Sequence, residues 1–178
     1  QISQEALTAV SFVMPIQLLM IAVTVGSGVG VNSLIARRLG AKRQEEADLA
    51  ACTSIRIGIL NYLIFLFIGA VLTVPFMSHY TSNAEILSSG TTYMRIVMCF
   101  SMFMSVEILL EKVLQSTGNM IIPMICSLTG AIVNLILDPI LIFGLLGAPK
   151  LGVAGAAIAT VTGQACSLIV SATFIKKK

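Results

Sequence analysis

Apolar residues run through this chain in five long blocks separated by short polar stretches. The blocks occupy about residues 6–36, 57–75, 92–114, 121–146 and 152–174. A helix needs about 20 mostly apolar residues to cross a bilayer. The pattern therefore predicts an all-α, polytopic bundle of about five transmembrane helices. The first block is uncharged throughout and long enough to need tilt or a kink, with Pro15 as the kink site. Gly26 and Gly30 form a GxxxG pair with Gly28 between them. A phosphate-binding loop at GSGVG would need a preceding strand. Inside an apolar helix the same residues are expected to be a packing surface.

The polar connections carry less chemistry. RRLGAKRQEEADLA, residues 37–50, reads as a solvated loop plus a short surface helix, with Gly40 breaking the helix before it. MSHYTSNAEILSSG, residues 77–90, reads as a polar loop; it holds His79, the chain's one histidine, as a solvated side chain without a role. The third block is the least clean, with Arg95, Glu107, Glu111 and Lys112. Glu107 and Glu111 are four apart and share one helical face. That face lines a water-filled cavity, meets a partner half of the protein, or stays hydrated near the interface. Glu111 is expected to be hydrated, and Glu107 is a candidate cavity acid. Met94, Met98, Met102 and Met104 are expected to fill the core, although flexible thioethers also suit a cavity that accepts several substrates.

Residues 134–164 hold the strongest chemical signal. Asp138 sits inside an apolar run, with Asn134 one helical turn before it and Pro139 directly after. A carboxylate in such surroundings is costly to keep charged and usually functional. It can exchange a proton for a sodium ion or a cationic substrate, the requirement of a secondary transporter. Pro139 frees a backbone carbonyl near Leu135, tolerated at membrane depth where it faces protein or a cavity. In the following block Gly155, Ala159, Gly163, Ser167 and Ser171 recur every four residues. Such a stripe of small residues lets two backbones approach closely in a membrane. If the last two helices pack antiparallel through it, Thr160 is the natural third partner of Asn134 and Asp138. Apart from sodium at Asp138, no metal site is expected.

Composition agrees with a membrane protein. Of 178 residues 57% are hydrophobic and only 11% charged, against about 25% charged in soluble domains; mean hydropathy is +0.98. The net charge of +3 comes from basic residues at the ends of apolar blocks, without an aromatic-rich basic stripe, so nucleic acid is not an expected partner. Cys52, Cys99, Cys126 and Cys166 lie apart without CxxC or histidine pairing, and are expected to be small buried hydrophobes. Nine basic residues fall at one set of block ends and two, Arg95 and Lys150, at the other. By the positive-inside rule, loop 37–56, loop 111–120 and the C-terminal tail are expected in the cytoplasm, with the chain beginning outside. The first residue is Gln1 and no signal sequence precedes the first block, which suggests an internal piece of a longer protein.

With these residues in view, the chain resembles the multidrug and toxic compound extrusion (MATE) family of cation-coupled exporters, over essentially its whole length. GSGVGVNSLIARRLGAKRQEEAD is similar to the end of that family's second helix and the cytoplasmic loop after it. LQSTGNMIIPM resembles the loop before the fifth helix, and NLILDPILIFG with GVAGAAIATVTGQ resembles the fifth and sixth helices. The resemblance implies that the five blocks are helices two to six of a twelve-helix, two-lobe transporter, residues 1–178 being a partial N-terminal lobe. It also implies a cation or proton site built from Asn134, Asp138 and Thr160, with a backbone carbonyl from Ala156. The family's first-helix acid and second lobe are not in this sequence.

The function expected is therefore that of an antiporter part in the plasma or inner membrane. It would export small organic cations or related amphiphiles by alternating access, driven by proton or sodium entry, with no other cofactor. Its partners are the lipid bilayer, the substrate, and a first helix and C-terminal lobe outside this sequence. A lipid-linked oligosaccharide flippase of the same superfamily would be expected to line its cavity with basic residues, and Arg95 is the one interior candidate. An enzyme would need a nucleophile–base set or a metal motif, which a single loop histidine does not supply. A non-transporting scaffold would leave Asp138 as an unexplained cost.

Overall fold

The computed structural model describes residues 4–176 as six helices joined by connections of one to four residues, apart from a nine-residue link before the last helix. Residues 1–3 and the tail lysines Lys177 and Lys178 lie outside the described residues.

Helix α1, Gln4–Gly40, and helix α2, Gln44–Tyr80, are 37 residues each, or about 56 Å at about 1.5 Å per residue. Both outrun a hydrocarbon core of about 30 Å, so their ends extend past it. They form a hairpin closed by residues 41–43, where Lys42 takes a left-handed φ of 58°. The expected loop and short surface helix are thus absorbed into the two long helices. The cause is local. Glu45 and Glu46 sit in the first turn of α2, where carboxylates favour the helix dipole. Glu46 pairs with Arg38 across the hairpin at 2.8 Å. Ala47 and Ala50 pack on Val31 and Ile35, which carries helix packing past the apolar block. At its other end α2 runs through Pro75 to Tyr80, and the expected polar loop 77–90 shrinks to residues 81–83. His79 is exposed there, edge-on to Tyr80.

The third block is not one helix over 92–114. It is two 16-residue helices, α3 (Ala84–Cys99) and α4 (Ser101–Ser116), broken at Phe100 with φ −103° and ψ 11°. Asn83 caps α3 by accepting hydrogen bonds from the amides of Glu85 and Ile86. Neither helix alone is long enough to cross a bilayer, and together they run the depth of the bundle. Gly90 of α3 lies against Met77 and Ala9, at the 81–83 end of the bundle. Met98 lies against Gly69 at mid-depth, and Leu109 of α4 lies against Gly58 and Gly28, towards the 41–43 end. Among the described residues α1, α2, α5 and α6 are each long and apolar enough to span by themselves.

The glycines of α1 divide differently from the expectation. Gly28 is the packing residue, closed over by Leu109 and Lys112 of α4, whereas Gly26 and Gly30 have open space where a side chain would begin. Residues two apart on a helix point to nearly opposite sides, so only one of the two sets can face α4.

Val13, Met20, Phe65, Met77, Met94 and Met98 form the central core between α1, α2, α3 and α6. Met94, Met98 and Met104 are buried as expected, while Met102 is exposed. Cys126 alone of the four cysteines is buried; Cys52 and Cys99 are exposed and Cys166 is half-buried. That corrects the reading of all four as core residues.

Helix α5, Ile121–Phe143, ends on Gly144 in the left-handed conformation (φ 73°), and a 3₁₀ turn, Leu145–Gly147, follows. Helix α6, Val153–Lys176, returns antiparallel to it. Gly155, Ala159, Gly163, Ser167 and Ser171 are all buried. A methyl on Gly155 would lie 2.5 Å from the Leu141 carbonyl oxygen. α5 packs chiefly on α6 and leaves Leu128, Leu135 and Ile136 exposed.

Candidate functional site

The α5–α6 contact brings Asn134, Asp138 and Thr160 together. Asn134 and Asp138 occupy successive turns on one face of α5. The Asn134 amide donates towards Asp138 Oδ1 at 3.5 Å and towards Thr160 Oγ1 at 3.4 Å. Thr160 donates its own proton to the Ala156 carbonyl at 2.9 Å. The bookkeeping is consistent. An amide nitrogen has two protons, and a hydroxyl donates one while accepting on its lone pairs. What remains on offer there is acceptor: the Asn134 carbonyl oxygen and the second Asp138 oxygen, since the Ala156 carbonyl already accepts from the Thr160 hydroxyl and, within α6, from the Thr160 amide. Oxygens of this kind suit a hard monovalent cation or a proton. All three side chains are half-buried, Asp138 five residues from the α5 C-terminus.

Two residues the sequence did not single out belong beside this set. The Tyr93 hydroxyl of α3 reaches Thr160 and Gln17 of α1, within electrostatic range of the Asp138 carboxyl. Tyr93 is buried and Gln17 half-buried. Gln17 is a lone amide inside the apolar block MPIQLLM, and a polar residue at that depth is itself a signal.

Glu107 lies elsewhere in the same bundle, and it is buried. Its carboxyl sits 2.7 Å from Ser167 Oγ of the small-residue stripe, and that hydroxyl is 2.8 Å from the Cys126 carbonyl. Glu111, half-buried one turn on, hydrogen-bonds to Glu107 and accepts from Ser127 of α5. It is therefore engaged with protein rather than only hydrated.

A groove of about 270 Å³ between α4, α5 and α6 joins these two regions. Glu107 and Ser127 line one part, Asn134 and Thr160 another, and Gly163, Gln164 and Ser167 lie between them. The lining holds an acid and several neutral polar groups but no lysine or arginine. Arg95, the candidate for an anionic cargo, is exposed on α3 and does not line it.

The family model described as MatE matches residues 1–140. The probable multidrug resistance protein YoeA of Bacillus subtilis strain 168 is 28% identical over 174 residues, covering 98% of this chain. The FAD transporter of Shewanella oneidensis is 32% identical over 176 residues, covering 96% of it. Among solved structures, the outward-facing conformation of a multidrug resistance MATE family transporter of the MOP superfamily superposes with a TM-score of 0.90. That match is 27% identical and covers 99% of this chain. This chain spans only about 38% of the length of each of these relatives. From the family match, the shared bundle and its apolar helices, the chain belongs to the MatE family and is a multi-pass membrane protein.

Proposed function

We propose that this chain is the cation-coupling part of an N-terminal lobe, helices two to six, of a secondary antiporter. The whole protein exports organic cations or related amphiphiles by alternating access across the cell membrane, coupled to proton or sodium entry. The observation that carries the reading is the convergence of Asp138, Asn134 and Thr160 on one another, beside a groove that Asn134 and Thr160 line and no basic residue enters. An acid held among acceptor oxygens can take a cation from one side and release it when a competitor arrives. The same lining disfavours a pyrophosphate-linked cargo, which needs cationic donors. The lobe works with a further helix and a second lobe, which complete the site and the substrate path.

The test is efflux of a cationic dye from vesicles holding the full-length protein, wild type against Asp138→Asn, under imposed proton or sodium gradients. A well-inserted mutant is expected to lose gradient-driven efflux, and the gradient that works for the wild type names the ion. Wild-type efflux from the mutant would make the Asp138 cluster a structural contact. Since one relative is named an FAD transporter, a flavin dinucleotide is the anionic comparison in the same assay.

A further inference from the structure

The acid that lines the groove, Glu107, lies apart from the coupling site, whose Asn134 and Thr160 line another part of it. Ser127, Ala131, Asn134 and Asp138 recur at three- and four-residue spacing along one face of α5. At about 1.5 Å per residue they cover roughly 16 Å, about half of a hydrocarbon core. One end of this stripe carries Asp138. At the other end Ser127 meets Glu111, and Glu107 enters the groove from α4.

The hydrogen bonds at Glu107 accommodate a proton. A backbone carbonyl only accepts, and a hydroxyl has a single proton to donate. With Ser167 donating to the Cys126 carbonyl, its contact with Glu107 is satisfied only when Glu107 donates. With Glu107 ionised, Ser167 turns its proton to the carboxylate and releases the carbonyl. Ser167 thus serves both protonation states. The hydrogen bond between Glu107 and Glu111, unlike that to Ser167, requires one proton between two carboxyls, which repel when both are charged. The other titratable group facing the pair is the Cys126 thiol of α5. α6 presents the neutral Gln164 and Ser167, and α1 and α2 meet α4 through Gly28, Asn32 and Gly58. Lys112 is turned to α1 and donates to Gln115.

We propose that Glu107 and Glu111 form a second proton station, which exchanges protons with Asp138 by way of the α4–α5–α6 groove, whose far part is lined by Asn134, the hydrogen-bond partner of Asp138. A groove of about 270 Å³ has room for several waters, each with a share of about 30 Å³. The step balances simply. Asp138 passes from carboxylic acid to carboxylate, Glu107 passes from carboxylate to carboxylic acid, and water in the groove carries the proton. Glu111, one turn nearer the α4 end beside Lys112, passes it on. The proposal rests on Asp138 being the coupling acid and adds the route by which its proton leaves.

The experiment uses the full-length protein in liposomes, with ethidium as the probe and a proton gradient as the driving force. Glu107→Gln is expected to slow efflux at least tenfold and to abolish its rise with the gradient. Equilibrium ethidium binding should stay within twofold of wild type, and Glu107→Asp should restore most of the rate. Ala131→Leu fills the groove without touching either acid and is expected to slow efflux in the same way. Gradient-dependent efflux at the wild-type rate in Glu107→Gln would overturn the station. If that variant does not assemble, wild-type efflux in Ala131→Leu overturns it instead. Loss of efflux in Asp138→Asn with full efflux in both other variants removes the station and leaves the coupling site. Full efflux in Asp138→Asn removes the coupling reading itself. A wild type driven by sodium alone also rules out a proton station.

Discussion

Gly163 and Gly130 set the distance between the two helices that carry the site: a methyl group on Gly163 would lie 2.7 Å from the Gly130 carbonyl oxygen and 3.2 Å from Asn134 Cβ. Backbone cannot yield as a flexible side chain does, so Gly163→Ala must push α6 away from α5. Overpacking of this kind costs about 1–3 kcal/mol. The expected result is a lower melting temperature in detergent together with weaker cation binding, because Asn134 and Thr160 separate. Gly26→Ala and Gly30→Ala are the controls. A side chain there meets open space, and alanine is favoured over glycine inside a helix by about 1 kcal/mol. Thermal unfolding of the four proteins in parallel decides it, and a Gly163→Ala protein as stable as wild type would refute the close-contact account.

This contact explains why the site was legible and other features were not. Asn134 and Asp138 are one turn apart, and the four-residue repeat of Gly155, Ala159, Gly163, Ser167 and Ser171 names the face of α6 that meets them. Both are local periodicities, readable without a partner. The break at Phe100 is different, because no proline or glycine marks it, and the helices around it decide the geometry. The phase of the α1 glycines also depends on a partner, since only the position of α4 selects Gly28 over Gly26 and Gly30. Tyr93 reaches Thr160 across 67 positions of sequence, a proximity no spacing rule supplies. The long ends of α1 and α2 were hidden by their charges, which read as loop until Arg38 and Glu46 are seen to pair.

Thr160 tests whether the hydroxyl acts as a partner of Asn134 or only as a filler of space. Thr160→Val keeps the shape and removes the oxygen that receives the Asn134 amide. An amide proton left without its acceptor in a half-buried site costs about 1–3 kcal/mol. Cation affinity is expected to fall about tenfold, equivalent to about 1.4 kcal/mol, while Thr160→Ser stays near wild type. Titration calorimetry with the coupling ion measures both. Equal affinity in the valine and serine variants would assign Thr160 to packing alone.

Asn83 carries a prediction about folding that leaves the site untouched. Its side chain accepts from the amides of Glu85 and Ile86 at the start of α3, donors that have no partner inside the helix. Asn83→Ala is expected to cost about 1 kcal/mol and to lower the melting temperature without altering dye selectivity. Asn83→Asp keeps the acceptor and should behave as wild type. A change in selectivity with unchanged stability would mean that the 81–83 turn touches the substrate path.

The placement of basic residues carries an expected orientation in the membrane, and the short turns make it testable. Residues 41–43 and 81–83 lie at opposite ends of α2. At about 1.5 Å per residue those ends are roughly 55 Å apart, so the two turns face different compartments. Cys126 is buried and out of reach, so replacing Cys52, Cys99 and Cys166 leaves a quiet background for introduced thiols. In intact cells a membrane-impermeant maleimide is expected to label Ser82→Cys and to spare Lys42→Cys. Permeabilised cells should label both. The hairpin with Arg37, Arg38, Lys42 and Arg43 then lies in the cytoplasm, as the positive-inside rule requires. Glu111, near the same end of the bundle as Lys112 and Asn32, would stand on the cytoplasmic side of Asp138. The reverse labelling pattern would invert the chain, and any proton passing from Asp138 to Glu107 would then be moving outward.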